Sequence, residues 1–144
     1  MTLVELLVVL GIIGLILGIS VPGLTTYANQ VRLKVATREV VGLLSLARSL
    51  AISSHEDHAV VIDPERRQIT VENTVSGEAL ERVVRLPASM SVEMEVAGEP
   101  ARETRVVFRP TGSLAGRTTS IILADRDTSH TVTVSGITGA VSVQ

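Results

Sequence analysis

The sequence predicts an α+β fold: one long N-terminal helix, apolar in its first half, packed against a small antiparallel β-sheet domain. Three observations predict it. The first is an apolar run from Leu6 to Val21, with Glu5 the last charged residue before Arg32. The second is a stretch up to about Ser53 in which apolar residues recur at three- and four-residue steps. The third is a switch to two-residue alternation after His58.

The apolar run comprises Leu6 to Leu10, Ile12, Ile13, Leu15 to Leu17, Ile19 and Val21, interrupted only by Gly and Ser20. A helix needs roughly 20 apolar residues to cross a bilayer core. Residues 1–30 are therefore expected to form a hydrophobic transmembrane or assembly helix. A cleaved secretory signal peptide is the plainer reading of such a start. It would carry a basic n-region, a shorter run and a small-residue cleavage site, but nothing basic precedes the run here and the run is too long. Glu5 is the anomaly, because an acid near the membrane interior costs about 2.5–3.5 kcal/mol on insertion scales and is usually paired. Gly14 and Gly18 form a small-xxx-small pair suited to close helix approach. Gly11, Gly14, Gly18 and Pro22 also weaken the helix, which predicts a kink near Pro22.

Residues 31–54 read as the amphipathic second half of the same helix. Val40, Leu43, Leu44, Ala47, Leu50 and Ala51 make its stripe, and Arg32, Lys34, Arg38, Glu39 and Arg48 fall mostly elsewhere. Ser53-Ser54-His55-Glu56-Asp57 ends it. Residues 55–144 read as a β-rich globular domain of about eight short strands. The expected strands are His58–Asp63, Gln68–Glu72, Arg82–Leu86, Met90–Val96, Thr104–Arg109, Ser120–Ala124, Thr131–Ser135 and Ala140–Val143. Met90, Val92, Met94 and Val96 alternate strictly with Ser91, Glu93 and Glu95, the mark of a half-buried strand. Loose connections are expected near Asn73–Glu81 and Ala97–Glu103.

Composition removes several function classes. The formal net charge of −2 argues against a nucleic-acid partner. With no cysteine there are no disulfides and no thiolate metal sites. His55-Glu56-Asp57-His58 has metal-ligand residue types, but it falls where the helix stops, and no metal site is expected. His130 with Asp125 and Asp127 suggests a triad only loosely, because no nucleophile motif accompanies it. Asp125-Arg126-Asp127-Thr128 lacks the acid count and spacing of a calcium loop. Arg66, Arg67, Arg105, Arg109 and Arg117 are interspersed with acids and read as a solvated face. No catalytic residue, metal or cofactor is expected, and the chain is not expected to be an enzyme.

Thr2-Leu3-Val4-Glu5-Leu6-Leu7-Val8-Val9-Leu10, with Pro22 behind it, resembles the mature N-terminus of type IV pilins and type II secretion pseudopilins. The resemblance implies a basic leader cut by prepilin peptidase, leaving Met1 as the N-methylated N-terminus where most relatives have Phe. Glu5 of one subunit is then expected to meet the α-amino group of Met1 on a staggered neighbour and set register. Burial of Leu3, Leu6, Leu7, Val9, Leu10 and Ile13 among neighbouring helices would drive assembly. The resemblance also implies that the helix melts between Gly14 and Pro22 as a filament forms.

Leu46-Ala47-Arg48-Ser49-Leu50-Ala51, Val107-Phe108-Arg109-Pro110-Thr111-Gly112 and the closing strand after Gly139 are similar to the GspH/FimT-type branch of that class. Some fimbrial members bind DNA through a Gly-Arg-x-Arg-like segment near the C-terminus. Gly139-Ala140-Val141-Ser142 has neither arginine, which argues against DNA binding here.

The expected function is a structural subunit of a type IV pilus-like filament or a type II secretion pseudopilus. The alternative within the class is a minor pseudopilin at the pseudopilus tip in protein secretion, and an alternative of a different class is a DNA-binding minor pilin in natural transformation. The implied partners are copies of this chain or other pilins and pseudopilins, prepilin peptidase, an inner-membrane assembly platform and, before assembly, the membrane. The implied location is the bacterial inner membrane, crossed once with the C-terminal domain in the periplasm, and then a periplasmic or extracellular filament.

Overall fold

Leu33, Ala36, Val40, Leu43, Leu44, Ala47 and Ala51 recur at helical spacing and are all buried, which makes one stripe of a long helix the base of the β elements. The computed structural model describes residues 2–101, 104–126 and 128–144, with side chains described outside 19–26 and 81. The helix, α1, runs from Leu3 to Ser54. It stops where His55 takes a left-handed backbone, φ 59°, the conformation that commonly closes a helix. The chain divides into two compact units, Met1–Arg32 and Leu33–Gln144.

In the second unit the strands are β1 (His58–Asp63), β2 (Gln68–Asn73), β3 (Ala79–Arg85), β4 (Met90–Val96), β5 (Glu99–Pro100), β6 (Arg105–Phe108), β7 (Thr119–Asp125), β8 (Thr128–Val134) and β9 (Val141–Val143). They form two sheets, ordered β3-β2-β1-β6 and β5-β4-β7-β8-β9, and every pairing is antiparallel. The helix packed on antiparallel sheets is the α+β layout that the periodicities predict. Two of the expected loose connections differ: β3 begins at Ala79, inside one, and β5 lies inside the other. Pairing with β2 and β4 supplies the strand geometry that the local residues only weakly favour.

One apolar cluster joins the helix stripe to both sheets. Val60, Ile69, Val71 and Phe108 come from the first sheet, and Met94, Ile121, Leu123, Val132 and Val134 from the second. Strand alternation sets which side chains enter it. Along β7, Thr119, Ile121, Leu123 and Asp125 are buried and the residues between them are half-exposed. Register places Met94, Ile121, Val132 and Val143 in one row across β4, β7, β8 and β9. Full burial of a side chain such as Leu43 or Phe108 stabilises the fold by about 1.5–3 kcal/mol.

Candidate assembly surface and the Arg48 clasp

The first turn of α1 is closed reciprocally. The backbone N–H of Glu5 donates to the Thr2 hydroxyl (3.3 Å), and the backbone N–H of Thr2 donates to Glu5 Oε2 (3.3 Å). This capping box satisfies two of the donors that a helix start leaves unpaired, and the carboxylate also meets the positive end of the helix dipole. Within the chain, therefore, Glu5 already has a local partner. Its sequence signal is Thr2-Leu3-Val4-Glu5, a T-x-x-E pattern at the head of an apolar run, and this local role stands beside the pairing with Met1 expected from the resemblance. Met1 lies outside the described residues.

Behind the box the helix is apolar and open. Leu3, Leu6, Leu7, Val9, Leu10 and Ile13 are between 45% and 76% exposed, and Val4, Val8, Ile12, Leu15, Ile16 and Leu17 are exposed as well. A helix that is apolar all round belongs among other helices or in lipid, and an apolar patch of this kind marks an interaction site. A Cβ built on Gly11, Gly14 or Gly18 meets nothing within 4 Å. The helical backbone is unbroken from Gly14 through Pro22, and the side chain of Pro22 lies outside those described. Among the described residues no helix is long and apolar enough to cross a membrane. The described side chains of the run stop at Gly18, short of the roughly 20 residues that a span needs.

At the other end of α1, Arg48 ties three distant segments together. Its Nε donates to the carbonyl of Gly112 (3.0 Å) and an Nη to the carbonyl of Thr138 (2.9 Å). Gly112 lies in the turn after β6, and Thr138 in the loop between β8 and β9. One helix side chain thereby fastens a turn of each sheet. The site demands glycine twice. Gly112 (φ 79°) and Gly139 (φ 63°) are both left-handed, and a Cβ on Gly139 would fall on the carbonyl oxygen of Gly112. The segments that carry the resemblance to one branch of the pilin class thus meet in space, a contact that no spacing in the sequence marks.

The other candidates resolve into local structure. His58 is buried on β1 with Nδ1 3.1 Å from the Glu56 carbonyl oxygen, and Asn73 Nδ2 donates to Glu56 Oε2 (2.6 Å). His55-Glu56-Asp57-His58 therefore closes the helix onto β1 and anchors the end of β2. Among the described residues, no group of three or more metal-ligating side chains converges. Arg66 pairs with Asp63 (3.8 Å) and Arg105 with Glu72 (3.6 Å), so part of the basic set is neutralised. Asp125 is buried on the core side of β7, and neither carboxylate oxygen has a hydrogen-bond partner among the described residues. Nothing in the sequence marked that position as buried. Asp127 lies outside the described residues.

The model of the family described as "Type II transport protein GspH" matches residues 36–139. Among solved structures, the chain is similar to the minor pseudopilin EpsH of the type 2 secretion system of Vibrio cholerae. Identity is 19%, with 78% of this chain and 96% of that one covered and a TM-score of 0.63. It is also similar to the type IV minor pilin FimU of Pseudomonas aeruginosa, at 16% identity, 82% and 92% coverage and a TM-score of 0.64. At these identities the likeness is one of fold. No curated protein sequence matches the chain.

Proposed function

The chain belongs to the GspH family of type II transport proteins, and we propose that it is a structural subunit of a type II secretion pseudopilus or a type IV pilus-like filament. The observation that carries this reading is the exposed apolar surface from Leu3 to Leu17 on a helix whose second half is built into a folded domain. Such a surface is stable only when covered. Lipid covers it before assembly, and the corresponding helices of neighbouring subunits cover it afterwards. On this reading residues 1–30 cross the inner membrane once, with the β-domain in the periplasm, and prepilin peptidase and an assembly platform act on the chain.

Glu5 then has two successive partners. In the free chain it closes the capping box with Thr2. In the filament it meets the α-amino group of Met1 on a neighbour, and Gly14 to Pro22 supplies a weak stretch of helix that unwinds on packing. Removing one member of a buried charge pair costs about 3–5 kcal/mol, enough to abolish assembly. Glu5→Ala is expected to leave the β-domain folded, by circular dichroism, while no filament is recovered. Normal filaments from that variant would sink the pairing.

A minor, tip-located position is the second reading, supported by the fold likeness to a minor pseudopilin and a minor pilin. Mass spectrometry of sheared filaments separates the two. A dominant chain with an N-methylated Met1 is the shaft subunit, and a trace component beside an abundant relative is a minor one.

A further inference from the structure

Lys34, Thr37, Arg38 and Val41 recur at i, i+3, i+4 and i+7, so a single strip of α1 carries all four. This strip, with His130 on β8 and Val143 on β9, lines a groove of about 290 Å³. Val41 and Val143 make its apolar part. Buried Thr37 is satisfied within the helix, its hydroxyl donating to the Leu33 carbonyl (2.8 Å). The rim is cationic: Lys34 and Arg38 are exposed, and among the described residues no Asp or Glu lines the groove and neither cation forms an ion pair.

The strand beside the groove is an open edge. Thr131 and Gln144 exchange both backbone hydrogen bonds, each 2.9 Å. In an antiparallel ladder such pairs alternate with pairs that exchange none. Val141 and Val143, opposite Val134 and Val132, therefore turn their N–H and C=O groups away from β8. β9 is last in its sheet, so among the described residues no strand meets those groups. Neither proline nor charge lies along the edge from Val141 to Val143, which only its length of 3 residues limits.

We infer that the groove and edge receive an extended segment of another polypeptide, added as a strand beside β9, whose groove-facing side chains are apolar and acidic. Main-chain bonds to Val141 and Val143 supply the pairing. Apolar side chains cover Val41 and Val143, and a carboxylate meets Lys34 and Arg38, which selects the partner by charge. The inference involves only residues of the second unit and does not rest on the filament reading.

The test uses the full chain, isotopically labelled in zwitterionic detergent micelles, titrated with the end-blocked peptide Ser-Val-Thr-Glu-Thr-Val-Ser. The expected result is saturable shift changes confined to Lys34, Thr37, Arg38, Val41, His130 and the β9 edge from Val141 to Gln144, with slower amide exchange at Val141 and Val143. A peptide with lysine in place of glutamate is expected to bind about five- to tenfold more weakly. The double variant Lys34→Glu, Arg38→Glu, altered only at exposed positions, is expected to reverse that preference while the rest of the spectrum is unchanged. Absence of saturation, equal binding of the two peptides, or shifts elsewhere would overturn the inference. So would protection of Val141 and Val143 that rises with protein concentration alone, which assigns the edge to a second copy. The same shifts produced by phosphatidylglycerol nanodiscs without peptide would assign the groove to lipid head groups and also overturn it.

Discussion

Arg48 acts through two carbonyls rather than through an acid. Hydrogen bonds from a charged donor contribute about 1.5–3 kcal/mol each, and both acceptors sit in turns between strands. Arg48→Ala is expected to lower unfolding free energy by about 3 kcal/mol, read by urea titration in micelles. Arg48→Lys should recover less than half of that, because one ammonium lacks the planar fork that reaches Gly112 and Thr138 together. Gly139→Ala is expected to cost about 1–2 kcal/mol from its left-handed backbone alone, and more from the approach of Gly112. Asp125 works the other way. Its carboxylate is buried without a hydrogen-bond partner among the described residues. Asp125→Val, which suits a core-facing strand position, is expected to raise stability by about 1–2 kcal/mol. A fall instead would mean that the carboxylate serves a contact beyond the chain.

The elements differ in how openly they are written. The β4 alternation of Met90, Val92 and Met94 with Ser91 and Glu93 names its own inward face, and the buried positions match it. The α1 stripe is equally legible from Val40 to Ala51, and the structure extends it back to Leu33. β5 is not legible, because Glu99-Pro100 has no period and becomes a strand only through Glu95 and Val96 of β4. The division into two sheets is hidden for the same reason. β1 pairs with β6 across some forty residues, and no local pattern announces a partner that far away. At the candidate site the apolar surface is plain in the sequence, whereas the T-x-x-E box of Thr2 and Glu5 emerges only with the helix start in place. The meeting of Arg48, Gly112 and Thr138 is tertiary and could not be read from spacing. Element by element, the stripe is the most sensitive part: Leu44→Ala is expected to cost about 2–5 kcal/mol, measurable as a lowered urea midpoint.

The whole molecule combines a domain with its own core and a helical segment that buries almost nothing of itself. The second unit should therefore unfold as one cooperative transition, while residues 3–17 exchange their amides according to what surrounds them. Hydrogen exchange in micelles, compared with exchange in recovered filaments, is expected to show protection spreading towards Thr2 only in the filament. Equal protection in both would indicate that detergent and neighbouring helices cover the segment alike.

The Arg48 clasp also has a consequence in time. Its two hydrogen bonds span 64 and 90 residues of chain, and closing loops of that length is entropically costly before other contacts reward it. Hairpins such as β1–β2 and β7–β8 are local and should precede it. The clasp is thus predicted to be absent from the folding transition state and to close last, as a latch. Arg48→Ala should then leave the refolding rate nearly unchanged and appear almost wholly as faster unfolding. The latch thus acts on the lifetime of the folded domain, because an interaction formed after the transition state must be broken before the chain can unfold.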